Sequence, residues 1–186
     1  MSSMVDERLA AIVREERERR AWSIATLAER SGVSKAMISK VERGAASPTA
    51  ALLGRLSGAL SMTLSELLAQ AEAGDEDVRV TRHAGQAVWR DPGSGYRRRS
   101  ISPPSAAVEI VEVELPRGRE VAYPADSYTF IQQQIWVLGG TLTFIEGDVE
   151  HVLSPGDCLL LGPPEPCVFA NRSRSTCRYA VVITRR

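Results

Sequence analysis

Histidine and cysteine are both scarce in this chain, with two histidines and three cysteines among 186 residues. The cysteines, Cys158, Cys167 and Cys177, are odd in number and lack Cys-x-x-Cys spacing. That excludes a disulfide scaffold and a zinc knuckle, and a reducing, cytoplasmic setting is expected. No apolar run approaches the roughly eighteen residues of a membrane-spanning helix, and the start, MSSMVDERL, has no apolar signal core. Net charge is missing too, because 23 basic residues balance 23 acidic ones. Bulk charge therefore announces no nucleic-acid partner, and any case for one rests on where individual charges stand. What the chain does have is 44% hydrophobic residues, enough to build a core in one or two domains.

The most informative stretch is 24–43, IATLAERSGVSKAMISKVER. Ile24, Leu27 and Ala28 recur at the spacing of one helical face. Gly32 breaks that helix, and Ser34 opens a second whose apolar face is Ile38 and Val41, ended by Gly44. Small Ala28 lets the two helices approach, Gly32 frees the turn, and Ser34 can cap the second helix. Two short helices across a tight glycine turn can hold one helix in a DNA major groove.

With its flanks, the stretch resembles the phage-repressor-like (XRE) helix-turn-helix family. The resemblance is carried by LAERSGVSKAMISKVERG at 27–44, by Ser47-Pro48, and by SMTLSELL at 61–68. It implies a five-helix DNA-binding domain over 1–70 whose second short helix reads bases. Lys35, Ala36 and Ser39 are the expected base-edge residues, with Met37 able to touch a thymine methyl. Lys40 and Arg43 are expected at phosphates, with Ser23, Thr26 and Ser34 as hydroxyl partners near the helix starts. Many members carry a glutamine just inside the first of the two helices, where this chain has Ile24. One such unit touches few base pairs, so a homodimer on a palindromic operator of double-stranded DNA is implied.

Around this motif, 6–20 reads as an amphipathic helix with Leu9, Ile12 and Val13 inward, and its alternating arginines and glutamates read as a solvated face. Trp22 is expected beside the entry to the next helix, capped by Ser23. A fourth helix is expected over 49–60, and a fifth over 63–70 with Thr63 and Glu66 forming a capping box. The run 71–77, AEAGDED, has four acids and no apolar face and reads as a linker.

From residue 78 the periodicity changes to alternation. Ten short stretches, VRV, AVWR, YRRRSIS, AVEIVEVEL, YTFIQQQIWVL, TLTFIE, VEHVL, CLLLG, CVFAN and CRYAVVI, read as strands separated by glycine and proline turns. An all-β sandwich or small barrel follows. Glu112 and Glu114 alternate with Val111, Val113 and Leu115, and Arg97 and Arg99 can meet those glutamates across a ladder. That structural account of the arginine run outweighs a second DNA patch.

WVLGGTLTF at 136–144 and LSPGDCLLLGPPEPCVFANRS at 153–173 resemble the cupin family, implying a jelly-roll (double-stranded β-helix) barrel over 78–186. Many cupins bind a metal through histidines and a glutamate. By the resemblance those positions fall on Asp126 or Ser127, Tyr128 or Thr129, Gln133 and Cys167, a poor donor set for a divalent ion. Neither His83 nor His151 falls on one of them, and His151 reads as a surface residue. No metal, no cofactor and no catalytic residue is therefore expected. A barrel without a metal can still hold one small ligand. Asp126, Tyr128, Gln133 and Cys167 would contact it, with Phe130, Trp136 or Phe169 as aromatic walls. Nothing basic adjoins Cys167, which argues against a redox role. The expectation is a transcription regulator whose barrel senses a small-molecule effector and dimerises, with the linker as the coupling path. The alternatives are a cupin isomerase or oxygenase tethered to a DNA-binding domain, or a barrel used only for dimerisation.

Overall fold

A computed structural model describes residues 4–72, 79–103 and 106–185. Five helices come first: α1 (Met4–Arg19), α2 (Ile24–Ser31), α3 (Lys35–Glu42), α4 (Ala50–Ala59) and α5 (Leu64–Glu72). Hydroxyls cap three of them: Ser23 accepts from the Thr26 amide, Ser34 from Met37 and Thr49 from Leu52. At α5 the capping box forms reciprocally. The Thr63 amide donates to Glu66 Oε2 and the Glu66 amide to Thr63 Oγ1, both at 2.8 Å. Gly32, at φ 65°, makes the left-handed turn between α2 and α3. Leu9, Val13, Leu27, Ile38, Leu53, Leu56 and Leu67 bury together as the helical core.

The charged face of α1 departs from the expected solvated surface. Arg14–Glu18 is an exposed i,i+4 pair, but Glu16 and Arg17 are buried. Arg17 forks onto Glu42 at the end of α3, Nε to Oε1 at 2.7 Å and Nη2 to Oε2 at 2.9 Å, and also donates to the Trp22 carbonyl. Glu16 accepts from Arg19 and Arg20. Position 17 faces α3, so its charge needs a partner rather than water.

The remainder is antiparallel sheet: β1 (Val88–Arg90), β2 (Arg97–Ser100), β3 (Val108–Leu115), β4 (Glu120–Tyr123), β5 (Ile131–Gly139), β6 (Leu142–Glu146), β7 (Val149–Leu153), β8 (Cys158–Leu160), β9 (Cys167–Ala170) and β10 (Cys177–Arg185). A six-stranded sheet in the order β1-β2-β3-β10-β5-β8 faces a four-stranded sheet in the order β4-β9-β6-β7. The sequence-based strand list needs three changes. Arg79 and Val80 are not in a strand, and Val78 lies outside the described residues. Tyr128 belongs to a 3₁₀ turn, Ala125–Tyr128, rather than to β5. The strand β4 was not expected, since EVAY is short and its partner β9 is remote in sequence. His151 is half-buried, its ring stacked at 25° on Phe144 across the β6–β7 pair.

Helix α5 runs on to Glu72, past the expected end at Gln70, and residues 73–77 of the expected linker lie outside the described residues. The two halves also touch directly, which the linker-only picture did not include. Helix α4 lies on the 3₁₀ turn and on β4. Gly54 and Gly58, one helical turn apart, form its contact face. A Cβ at Gly54 would stand 2.6 Å from Tyr123 Cδ1, and one at Gly58 would stand 3.2 Å from the backbone of Asp126. Ser127 Oγ donates to the Gly54 carbonyl at 3.1 Å.

Candidate nucleic-acid interface and barrel cavity

Helix α3 packs on α1 and α2 through Ile38 and Val41, leaving its other face open. Lys35, Ala36, Met37, Lys40 and Arg43 are exposed, and Ser39 is half-buried. The barrel does not cover them, because the helical domain meets it through α4. Ser34 is occupied as the α3 cap, and Arg43 Nε donates back to the Ser39 carbonyl at 3.1 Å. Ser23 Oγ accepts the Thr26 amide hydrogen and lies 2.9 Å from Thr26 Oγ1, so these two hydroxyls form one exposed pair at the start of α2. Ile24 is half-buried against the core. The expected reading residues therefore share one open surface, while Ser23 and Thr26 stand at its edge on the preceding helix.

The second site is a cavity of about 70 Å³ where the barrel mouth meets the helical domain. Gly54 and Ser57 of α4, with Thr63 and Leu64 at the start of α5, close it from one side. Tyr96, Arg98, Tyr123, Tyr128, Gln133 and Tyr179 supply its polar groups from the barrel. All four tyrosines of the chain are in this set. Aliphatic side chains of β3, β5 and β10 and the ring of Phe169 complete the wall. Phe169 stacks on Tyr179 with rings 11° from parallel, and Tyr123 meets Phe169 edge-on.

Tyr96 and Tyr123 are linked hydroxyl to hydroxyl at 3.1 Å. Burial pushes the phenols of Tyr123, Tyr128 and Tyr179 well above their usual range, so they are neutral donors and acceptors. Burial also raises Tyr96, an effect opposed by the adjacent Arg98 guanidinium. Gln133 is 7% exposed and faces inward from β5, in step with Ile131 and Ile135.

Of the residues expected to contact a ligand, Tyr128 and Gln133 line this cavity and Asp126 and Cys167 do not. Asp126 is exposed on the 3₁₀ turn. Cys167 is buried, and its Sγ donates to the Glu165 carbonyl at 3.2 Å. Burial, with Glu146 and Glu165 nearby, raises that thiol to about 12, so it is a poor metal ligand and a poor redox centre. Among the aromatic candidates Phe169 is a wall, Phe130 is half-buried away from the cavity, and Trp136 points outward at 50% exposure. Strand alternation is the reason: Gln133 and Trp136 are three residues apart on β5 and cannot share a face. A neutral amide, a protonated phenol and a protonated thiol do not fit the divalent ion that many cupins hold. Among the described residues no three His, Cys, Asp or Glu side chains gather as a metal site.

The residue that sequence reasoning missed is Arg98. Arg97 pairs in register with Glu114, to which it is ion-paired at 3.1 Å, and Arg99 with Glu112, which puts both outside. Arg99 itself reaches the His83 carbonyl rather than a carboxylate. Alternation then forces Arg98, 7% exposed, into the barrel.

A capped, glycine-hinged pair of helices joined to two facing antiparallel sheets defines the class: a helix-turn-helix domain followed by a jelly roll. The family model described as "Helix-turn-helix" (HTH_3) matches residues 13–67. The chain thus carries a helix-turn-helix domain of that kind over 13–67, joined to a domain with a jelly-roll fold. It is 29% identical over 104 residues to the HTH-type transcriptional regulator SutR of Escherichia coli (strain K12), covering 54% of this chain and 58% of that protein. The chain therefore spans less than two thirds of that relative. A solved HTH_3 family transcriptional regulator from Vibrio cholerae has the same fold over 98% of both chains, at TM-score 0.78 and 20% identity. A predicted oxalate decarboxylase from Thermotoga maritima matches 57% of this chain and 99% of its own, at TM-score 0.50 and 14% identity, which concerns the barrel fold alone.

Proposed function

We propose that this protein is a cytoplasmic transcription regulator. Two copies bind a palindromic operator through α3, and a small-molecule effector in the barrel cavity sets their placement. The observation that carries the reading is the division of labour on the helical domain. Its α3 face is open, while its α4 face forms part of the wall of the barrel cavity. An effector seated there touches both halves at once. It shifts DNA affinity insofar as it binds the docked and undocked arrangements differently. Tyr128 and Gln133 are its proposed contacts, and no catalytic step is assigned to the barrel.

The proposed dimer contact is the outer face of the six-stranded sheet, meeting the same face of a second copy. Ile110, Trp136 and Leu160 are exposed there on β3, β5 and β8, with β10 between the first two strands. A two-fold operator calls for two units, which is why a second copy is the proposed occupant.

A second reading, in which the barrel serves only to dimerise, draws on the small size of the cavity. Operator selection from random duplexes, followed by affinity measurements with and without candidate effectors, tests both. Failure to enrich any sequence refutes the regulator. Saturable effector binding with unchanged operator affinity refutes the coupling.

A further inference from the structure

Some of the polar side chains around the barrel cavity are spent on one another and some are not. Tyr96 is hydrogen-bonded to Tyr123 at 3.1 Å and also to Arg98, so these three form a network within the wall. Ser57 and Ser127 both donate to the Gly54 carbonyl, and Thr63 caps α5. Gln133 differs from all of these. Its amide is 7% exposed, lines the cavity from the inner face of β5, and makes no hydrogen bond to another described residue. The hydroxyls of Tyr128 and Tyr179 also line the space and make none to a described residue. Burial keeps both phenols neutral, so each can donate and accept. Arg98 already belongs to the Tyr96 network, and its charge is not counted toward a ligand. The groups left open are therefore one amide and two phenols, set among the aliphatic side chains of Val111, Val113, Val181 and Ile183.

We infer that the barrel cavity is a site for a small neutral amide, anchored on Gln133 and completed by a hydroxyl of Tyr128 or Tyr179. A buried amide presents a carbonyl acceptor and an N–H donor side by side, and leaving either unpaired is costly. A ligand with its own N–H beside its own carbonyl answers both through two parallel hydrogen bonds. A ketone answers one of them. The phenol then donates to the second lone pair of the ligand carbonyl. A charged ligand would give up its water here without an open counter-charge to meet it. Size limits the frame as well. The space is about 70 Å³, whereas an apolar cavity of about 150 Å³ accommodates benzene, so the ligand has at most about five non-hydrogen atoms. The inference deepens the proposed effector reading and rests on it for its biological role, although binding itself can be measured without DNA.

The experiment is an NMR titration of the nitrogen-15-labelled full chain with acetamide, acetone and acetate, which share one planar shape and differ in donor and charge. The side-chain amide signals of Gln133, identified by their loss in Gln133→Leu, are expected to shift saturably with acetamide. Acetone and acetate are each expected to bind about threefold to tenfold more weakly, the range for one net hydrogen bond. Gln133→Leu, read at the backbone amides of β5, should weaken acetamide by at least as much, and one of Tyr128→Phe and Tyr179→Phe should weaken it several-fold. The tyrosine variants each lose one oxygen and keep the ring, so the test survives if Gln133→Leu fails to fold. No saturable shift with acetamide overturns the site, as does binding of acetone or acetate as tight as that of acetamide. Unchanged affinity in Gln133→Leu, or in both tyrosine variants, overturns it too. Acetamide binding that leaves operator affinity unchanged upholds the site and overturns the coupling instead.

Discussion

Asp91, in the turn after β1, accepts through Oδ1 the amide hydrogen of Ala50 at 2.8 Å, so a barrel residue caps the first turn of α4 from 41 positions away. Its Oδ2 holds the Ser94 amide at 2.6 Å, which fixes the turn that presents it. Helix α4 thus has two caps, Thr49 from its own chain segment and Asp91 from the other domain. Replacing Asp91 with alanine should cost about 1.5–3 kcal/mol, the range for a buried hydrogen bond to a charged group. Urea denaturation reads the loss. Faster hydrogen exchange confined to the start of α4 would locate it.

Gly54→Ala offers a test in which two effects have opposite signs. Alanine favours a helix over glycine by about 1 kcal/mol. Here the new methyl would enter Tyr123, which stands 2.6 Å from it. Overpacking of that kind costs about 1–3 kcal/mol, so net destabilisation is expected. A stabilised variant would show that α4 does not dock on the barrel in solution.

Arg17→Met leaves Glu42, whose side chain is 6% exposed, without its partner at the end of α3. Breaking such a buried pair costs about 3–5 kcal/mol. Thermal denaturation should reveal it, and the double variant Arg17→Met/Glu42→Leu should recover much of the loss.

At the DNA face, Lys35→Ala should relax base preference at one operator position, at about 1–3 kcal/mol of discrimination. Arg43→Ala should weaken all sequences alike and lower the slope of log affinity against log salt by about one. Anisotropy titrations at several salt concentrations separate the two behaviours.

Burial raises Cys167 from the ordinary thiol value of 9.0 to about 12, and Cys177 from 9.0 to about 11. A folded acid whose pKa lies above its unfolded value holds its proton longer than the unfolded chain does. Its contribution is therefore fully present below pH 9 and lost as the pH climbs toward 11–12. Stability should fall over that interval, and less steeply in Cys167→Ser and Cys177→Ser. At neutral pH, exposed Cys158 should react with a maleimide well before the other two.

How legible each part was depended on the range of the forces behind it. Ser23, Gly32, Ser34 and the Thr63–Glu66 box act within a few residues, so their roles could be read from order alone. That Arg97 and Arg99 share a sheet face with Glu112 and Glu114 could be read too, since alternation specifies a face, although among the described residues only Arg97 forms the ion pair. Followed one residue further, the same alternation would have put Arg98 inside and Trp136 outside. Glu16 and Arg17 misled because an alternating run of arginine and glutamate looks the same whether water or a neighbouring helix lies against it.

The amino-acid order was sufficient for the helix-turn-helix and for the alternating strands beyond it, because caps, glycine turns and two-residue periodicity are properties of short stretches. Tertiary packing alone decided that α4 would seal the barrel mouth. The glycines at 54 and 58 register in the sequence only as weak helix formers, and become a contact face only once Tyr123 and the 125–128 turn arrive from far along the chain. Closing those long loops is what gathers all four tyrosines and Arg98 around one space.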